Sequence, residues 1–315
     1  MTETPRRTVF RVHHLERRWR PEWPCPVDAI VSVHRRGAGD PTLRRDRPDR
    51  HRWALRTPTG PATLVLTRAD EAVYARAWGP GAAWALERLP ALLGAEDNPE
   101  GFEPRHPALV HAWRRHRHWR IGHTGLVFDA LLPSIIEQKV TGQEAYAGYR
   151  RLVTSYGTEA PGPPEAAEDL WVPPGPDEVR AVPSWAWLQC GIDPARSRAA
   201  VAAARVADSL ERLVEHGDEA LDRGLRSIPG IGVWTSAETR VRALGSPDAV
   251  SFGDFHVPRQ IGLVLVGRPV DDEELAELLE PWRPHRHRVQ ALVRQAFPAP
   301  ARTSPRPAPR RHLPQ

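Results

Sequence analysis

The feature that most constrains this chain is a turn with two closely spaced glycines, directly before a helical segment. The turn spans residues 227–232, where Pro229 is followed by Gly230 and Gly232, and the apolar pattern predicts a helix over 233–244. Proline fixes φ, and glycine lets the main chain turn sharply and come close to a ligand. The free N–H groups at the start of such a helix bind an anion without any charged side chain. The sequence therefore predicts a phosphate-binding hairpin over residues 225–234.

An acidic residue, Asp254, follows one helix later, and two roles are open for it. Beside C1′ of a nucleotide sugar, a carboxylate stabilises the positive charge that develops as an N-glycosidic bond breaks, and it can orient the attacking water. An Asp in front of a helix also serves as an N-cap, here of a helix that begins near Phe255. The two roles are compatible, because capping also fixes the side chain.

The N-terminal part of the chain alternates apolar and polar residues, which is typical of antiparallel strands. Strands are predicted at 9–12, 29–33, 53–55 and 62–66, separated by turn residues at 37–41 and 57–61. Residues 1–80 are therefore predicted to form a small antiparallel β domain.

From residue 81 onward the apolar period is helical, and residues 81–297 are predicted to form a mainly α-helical body. Apolar faces at 84–93 and 126–136 indicate its first helices, and Pro133 is expected in the first turn of a helix that starts later than the second run. Further helices are predicted over 142–156, 196–216, 218–227, 233–244, 256–266, 272–280 and 285–296. The tail at 298–315 is rich in Pro and Arg and is expected to be disordered. The predicted fold class is α+β.

Composition narrows the choice of partner. The chain carries a net charge of +5 with a pI near 9.8, and Lys139 is the single lysine among its 44 basic residues. A basic balance favours a polyanionic partner such as nucleic acid. Cys25 and Cys190 cannot supply the four thiolates of an iron–sulfur cluster, and two lone thiols suit a reducing compartment.

Neither a signal peptide nor a membrane span is predicted. Residues 1–20 are charged throughout and lack an apolar core, despite the pair of arginines at 6 and 7. Every apolar stretch is shorter than a bilayer span requires. The protein is expected to act in the cytoplasm as a monomer, and no membrane partner is expected.

The order of a Pro-Gly-x-Gly turn, a helix and an Asp resembles the helix-hairpin-helix DNA glycosylases. With its strand-like N-terminus, the chain is most similar to their alkylpurine branch, the 3-methyladenine DNA glycosylase II family. The resemblance covers most of the chain to about residue 296, and its specific motifs lie at 126–156, 185–205, 225–257 and 281–288. It implies excision of damaged bases from double-stranded DNA, with Asp254 as the catalytic residue.

The resemblance places the base pocket around Trp234, Glu238 and Phe255. Relatives with lyase activity carry an attacking Lys where this chain has Trp234, so water is the expected nucleophile. The Trp face would stack on a flat, cationic purine, with simple core packing as the alternative. Glu238 replaces a second aromatic residue, and its carboxylate either pairs with a cationic base or forms an exposed i,i+4 pair with Arg242. Phe255 could supply the missing aromatic surface.

Contacts to the DNA backbone and to the gap left by a flipped base are also implied by resemblance. Gly230, Ile231 and Gly232 would grip the backbone beside the lesion. Gln138 precedes the position of an apolar wedge, which Lys139 occupies here; a solvated loop residue is the alternative.

The resemblance also suggests two further sites. Arg283 and Arg286 open the last helix and are candidates for phosphate binding, with an exposed ion-pairing face as the equal alternative. The main-chain carbonyls of Arg226, Ile228 and Ile231 would hold a monovalent cation, K⁺ or Na⁺, against a DNA phosphate. Beyond that cation no cofactor is required, and no iron–sulfur cluster is expected.

Three functions remain open from sequence. The favoured one is a monofunctional glycosylase for alkylated purines. The second is a non-catalytic helix-hairpin-helix DNA-binding protein in which Asp254 is only a cap, and the third is a bifunctional glycosylase/lyase for oxidised bases. Release of alkylated bases separates the first from the second, while strand nicking and a borohydride-trapped adduct would reveal the third.

Overall fold

A computed structural model describes residues 14–297, and it confirms an α+β fold. The strands are β1 (Leu15–Trp19), β2 (Leu43–Arg47), β3 (Arg50–Thr57), β4 (Gly60–Ala69), β5 (Ala72–Trp78), β6 (Thr158–Glu159) and β7 (Trp171–Val172). The helices are α1 (Val27–Val31), α2 (Ala82–Glu87), α3 (Leu89–Leu92), α4 (Pro107–His116), α5 (Val127–Ile136), α6 (Gly142–Tyr156), α7 (Pro164–Ala167), α8 (Pro176–Ala181), α9 (Ser184–Gln189), α10 (Pro194–Arg205), α11 (Ala207–Arg212), α12 (Asp218–Arg226), α13 (Val233–Leu244), α14 (Val257–Leu265), α15 (Asp272–Leu279) and α16 (Arg286–Ala296).

The first five strands form one antiparallel sheet in the order β1-β5-β4-β3-β2. The predicted runs at 53–55 and 62–66 are confirmed as parts of β3 and β4, which pair with Trp53 opposite Leu64. β1 and β2 were not predicted. Arginine occupies many of their positions, so these strands show no clear alternation of apolar and polar residues. The predicted run at 9–12 and the tail at 298–315 lie outside the described residues.

The strand predicted over 29–33 is wrong. This segment forms α1, followed by a 3₁₀ turn over Ser32–His34. Val27, Ile30 and Val31 are buried together with the inner face of the sheet, and their spacing of three and four is that of one helix face. A short apolar run fits either period, so packing against the sheet decided the outcome.

Most helices predicted from the apolar period are confirmed. α6 and α13 coincide with the predictions, and α12, α14, α15 and α16 differ by one residue at one or both ends. The segment predicted as one helix over 196–216 is divided into α10, α11 and a 3₁₀ turn over Leu213–His216. Side-chain caps define several starts: Asp193 accepts main-chain N–H groups at α10, and Thr141 forms a capping box with Glu144 at α6.

Pro133 lies inside α5, so its predicted place in a first turn is wrong. Proline there removes one main-chain hydrogen bond to the preceding turn. Every residue of α5 except Asp129 is buried, and this burial on all sides compensates for the lost bond.

Residues 14–297 contain three large apolar cores and two small ones, and α13 connects two of the large ones. The sheet core joins the inner face of the sheet to α1, α2 and α3, and it includes Ala237 and Val241 of α13. The helical core is formed mainly by α5, α6 and α9–α12, and it includes Ala243 of α13. The C-terminal core lies among α4, α14, α15 and α16. Burial on two sides places α13 at the centre of the fold.

We predict that Asp97→Ala destabilises the protein strongly. Asp97 accepts from Nη2 of Arg288 at 2.6 Å, and the two side chains are 2% and 0% exposed. Removing the carboxylate leaves a buried guanidinium without its charged partner, which should lower the free energy of unfolding by about 3–5 kcal/mol. Chemical denaturation measures the loss. Asp177→Ala, which breaks the exposed pair with Arg180, is the control and should stay within about 1 kcal/mol of wild type; equal effects of the two variants would contradict the prediction.

Candidate active site

The turn between α12 and α13 is anchored by apolar side chains and presents its glycines to solvent. Ile228 and Ile231 are buried in the helical core, and the N–H of Ile231 donates to the carbonyl of Ile228 at 3.0 Å. Gly230 has a φ of +88°, in the left-handed region that favours glycine. Gly230 and Gly232 are both exposed. The glycine backbone of this turn is therefore accessible to a large ligand.

The first turn of α13 has the properties of an anion site. No side chain of the described residues caps it, and its first turn contains no acidic residue. A Cβ placed on Gly232 would meet no atom within 4 Å. N–H groups at the start of a helix lack main-chain partners, so those of α13 are available to a phosphate.

Asp254 lies in the loop that leads from α13 to α14, and its carboxylate accepts three N–H groups. Oδ1 accepts the main-chain N–H groups of His256 at 2.7 Å and Val257 at 3.0 Å. Oδ2 accepts Nε1 of Trp234 at 3.0 Å. The first two bonds cap α14, which begins at Val257 rather than near Phe255 as predicted. Capping thus fixes the orientation of a carboxylate that is still partly exposed.

Trp234 connects the hairpin to Asp254. It lies in the first turn of α13, directly after the exposed glycines, and its indole is half-buried. Because the indole N–H points at Asp254, the ring has a defined orientation between the anion site and the carboxylate. The structure places the N–H edge of an indole, rather than an amine, beside Asp254.

Glu238 lies one turn further along α13, and its side chain is largely shielded from solvent. The i,i+4 pair with Arg242, one of the two alternatives for this residue, is present, but it is not exposed. Oε2 accepts from Arg242 at 2.6 Å, and Oε1 accepts from Oγ of Ser251 at 2.5 Å. The two side chains of the ion pair are 13% and 8% exposed. Burial alone would raise the pKa of Glu238, but the charge of Arg242 and the hydrogen bonds from Ser251 and Arg242, with a smaller effect of Arg36, outweigh it and lower the pKa to about 2.

Phe255 follows Asp254 and is 78% exposed. Its ring lies edge-on to that of His256, with centroids 5.1 Å apart. An aromatic side chain this exposed makes little contribution to a core, and its position next to Asp254 leaves it free to contact a ligand.

The predicted wedge residues lie beside the hairpin. Gln138 donates from Nε2 to the carbonyl of Gly230 at 3.0 Å and to Oγ1 of Thr235 at 2.8 Å. Lys139 is exposed and has a left-handed φ of +53°. The loop between α5 and α6 is therefore linked directly to the turn before α13.

Arg286 forms an ion pair, one of the two roles left open for it, although its side chain is not exposed. Its side chain is 12% exposed, and its guanidinium and main-chain N–H bind the carboxylate of Asp248 at 2.7–3.1 Å. Arg283 is half-exposed and pairs with Asp248 and Glu280 at 3.0 and 2.7 Å. Both arginines thus hold the start of α16 to the loop after α13, which supports the ion-pairing alternative and leaves Arg286 closed to a phosphate.

Several residues of the site had no recognisable signal in the sequence. Ser251 and Gln290 bind each other, with Nε2 of Gln290 donating to the serine Oγ at 3.0 Å and the serine N–H donating to Oε1 at 3.2 Å. Arg36, from the loop after α1, pairs with Glu137 at 2.7 Å immediately before the wedge residues. These partners are distant in the chain, so periodicity and local motifs could not join them.

Other kinds of site find no support within residues 14–297. In this range no three His, Cys, Asp or Glu side chains are grouped so that they could hold a metal ion. None of the helices in the same range is long and apolar enough to cross a membrane. Cys25 and Cys190 are both buried free thiols.

Comparison with known proteins identifies the fold. No protein-family model matches the chain, and no curated protein matches its sequence. Among solved structures, the 3-methyladenine DNA glycosylase of Archaeoglobus fulgidus is 19% identical, with a TM-score of 0.73 over 89% of this chain and 97% of that chain. The 8-oxoguanine glycosylase/lyase of Clostridium acetobutylicum, in complex with double-stranded DNA containing cytosine opposite 8-oxoguanine, is 12% identical, with a TM-score of 0.68 over 86% of this chain and 91% of that chain.

These likenesses extend over nearly the whole length of both relatives. The chain therefore has the fold of the helix-hairpin-helix DNA glycosylases, as the hairpin at 225–234 and the Asp254 segment predict.

Proposed function

We propose that this protein is a monofunctional DNA glycosylase that flips alkylated, cationic purines out of double-stranded DNA and hydrolyses their N-glycosidic bond in base excision repair. The observation that carries the proposal is the bond from Trp234 to Asp254. It joins an anion site at the start of α13 to a fixed carboxylate, the two elements needed to hold a DNA strand and to stabilise a sugar cation.

The chemistry assigned to Asp254 is electrostatic. As the N-glycosidic bond lengthens, positive charge develops on the sugar, and a carboxylate already oriented by N–H donors stabilises it without reorganising. The same carboxylate can orient a water molecule towards C1′. The cationic base takes the bonding electrons and leaves as a neutral molecule. Water supplies the hydroxyl that replaces it on C1′ and releases its other proton to solvent.

The choice of an alkylated purine is supported by Trp234 and by the fold. A half-buried indole beside the carboxylate offers a face to a flat cationic base, and Phe255 offers a second, exposed ring. The structurally similar protein from Archaeoglobus fulgidus is named a 3-methyladenine DNA glycosylase. Lesion choice is nevertheless a matter for measurement, because the other similar structure is that of an 8-oxoguanine glycosylase/lyase.

Binding of DNA is assigned to main-chain groups. Gly230, Ile231 and Gly232 present the exposed turn, while Gln138 and Lys139 approach the gap left by the flipped base. A monovalent cation, K⁺ or Na⁺, would sit at the carbonyls of Arg226, Ile228 and Ile231. The carbonyl of Ile228 already accepts one N–H, and its second lone pair suits such an ion.

We expect Asp254→Asn to lower base excision about 100- to 1,000-fold, the cost of removing one preorganised electrostatic group. The amide keeps the shape of the side chain, so affinity for the duplex should change little. Release of bases from alkylated DNA under single-turnover conditions measures the rate, and gel retardation measures the affinity. Excision near the wild-type rate would exclude Asp254 from the mechanism and favour a non-catalytic DNA-binding protein.

We expect Gly232→Val to weaken binding to damaged and undamaged duplexes alike. The space around Gly232 is open within the protein, so the variant should fold normally, while its side chain would stand where a phosphate approaches. The affinity should fall about 10-fold or more, as expected for loss of a hydrogen bond to a charged group. Gly232→Ala provides a smaller step in a graded series. If the valine variant binds undamaged DNA as wild type does, the turn is not the anchor.

We expect excision to leave an intact abasic strand, because Trp234 occupies the place of an attacking amine. Lys139 is the single lysine of the chain and lies in the loop beside the hairpin. A nucleophile must come within about 3–3.5 Å of its target in an aligned approach. A denaturing gel without alkali and a borohydride-trapping reaction test this, with alkali treatment as the control for base release. An adduct that forms with wild type and is lost in Lys139→Ala would make the enzyme a lyase.

A further inference from the structure

The loop that carries Asp254 is held at three points by side chains from three different helices. Asp254 binds Trp234 of α13, and the N–H of Gly253 donates to Oδ2 of Asp272 of α15 at 2.9 Å. The third point is Ser251, which is fully buried and binds Glu238 of α13 and Gln290 of α16. Among these attachments, that of Ser251 is the one shielded from solvent.

Each donor group of Ser251 faces an acceptor, and each of its acceptor groups faces a donor. Its hydroxyl donates to the carboxylate of Glu238 at 2.5 Å and accepts from the amide of Gln290 at 3.0 Å. Its N–H donates to the amide oxygen of Gln290 at 3.2 Å, and its carbonyl accepts the N–H of Asp254 at 3.2 Å. The last bond links the serine to the backbone of the acidic residue itself.

The serine and the aspartate bind the same face of α13. Trp234 and Glu238 are four residues apart, which is slightly more than one helical turn, or about 6 Å along the axis. They hold Asp254 and Ser251 respectively, so two parallel cross-links fix the register of the loop against the helix. Loss of the buried cross-link would leave the register of the loop against α13 to the single bond between Trp234 and Asp254.

Glu238 is already engaged within the protein. One of its oxygens binds Ser251 and the other binds Arg242, and the charge of Arg242 keeps it an anionic acceptor. We infer that Glu238, Ser251 and Gln290 are positioning residues, which act on the reaction by fixing the loop that carries Asp254 rather than by touching the base. This inference rests on the proposed glycosylase function and assigns Glu238 a role different from base recognition.

The test compares Ser251→Ala with the matched control Ser134→Ala. Ser134 is equally buried, but its hydroxyl donates at 2.8 Å to the carbonyl of Ala130 within α5. Ser251→Ala should lower the single-turnover excision rate about 10- to 100-fold, the effect expected of a displacement near 1 Å, while duplex affinity stays within about three-fold. Ser134→Ala should leave both quantities near those of wild type.

Two lesions and one combined variant distinguish positioning from base recognition. With duplexes containing 7-methylguanine, which is cationic, or hypoxanthine, which is neutral, Ser251→Ala and Glu238→Gln should each reduce excision of both bases by the same factor. In an Asp254→Asn background, Ser251→Ala should cause no further loss. A selective loss for the cationic base would overturn the inference and assign Glu238 to the base pocket.

Three outcomes can be distinguished: misfolding of a variant, failure of the inference and failure of the proposed function. If Ser251→Ala fails to fold by circular dichroism, Ser251→Cys keeps most of the volume with a weaker donor and should show the same loss of rate. If wild type releases base, and Ser251→Ala and Ser251→Cys release it at the wild-type rate, the inference alone is wrong. If wild type releases no base from any duplex, the proposed function is wrong and the inference falls with it.

Discussion

The rest of the structure depends on the burial of α13 between two apolar cores. Ala237 and Val241 pack into the sheet core, while Ala243 packs into the helical core. Seven of the twelve residues of α13 are buried, so most of its polar side chains must find partners inside the protein. Ser236 binds Asp222 at 2.6 Å, and Glu238 binds Arg242 and Ser251. The helix is thereby fixed in rotation as well as in position.

This fixed helix determines the distance between the candidate phosphate site and the candidate catalytic group. Gly232 and Val233 at its start are exposed, whereas Trp234 and Glu238 further along the helix hold the loop of Asp254. Because one rigid element joins both groups, a DNA strand bound at the candidate phosphate site would place its sugar beside the candidate catalytic group with little further loss of conformational entropy. Gln138 extends the same unit to the loop between α5 and α6.

Four arginines of this chain are engaged within the protein and are not available to the proposed DNA-binding surface. Three of them are largely buried and form ion pairs with carboxylates: Arg242, Arg286 and Arg288. The fourth, Arg196, donates to the main-chain carbonyls of Ile136 and Gly191. Such residues bind helices and loops together, because a buried guanidinium requires charged or carbonyl partners. The proposed grip on DNA rests instead on the main chain of the hairpin, where the sequence supplies glycine rather than charge.

The sequence by itself determined the elements whose causes are local. The hairpin glycines, the long apolar periods of α6 and α13, and the segment around Asp254 could all be recognised because each signal lies within a few turns of chain. Only the tertiary structure decided that residues 29–33 join a helix and that Pro133 lies within α5, since packing outweighed local preference at both places. It also decided the hydrogen-bond and ion-pair partners of Arg286, Glu238, Ser251 and Gln290. Most of these partners lie on other elements, and they set the free energy of a buried charge or hydroxyl.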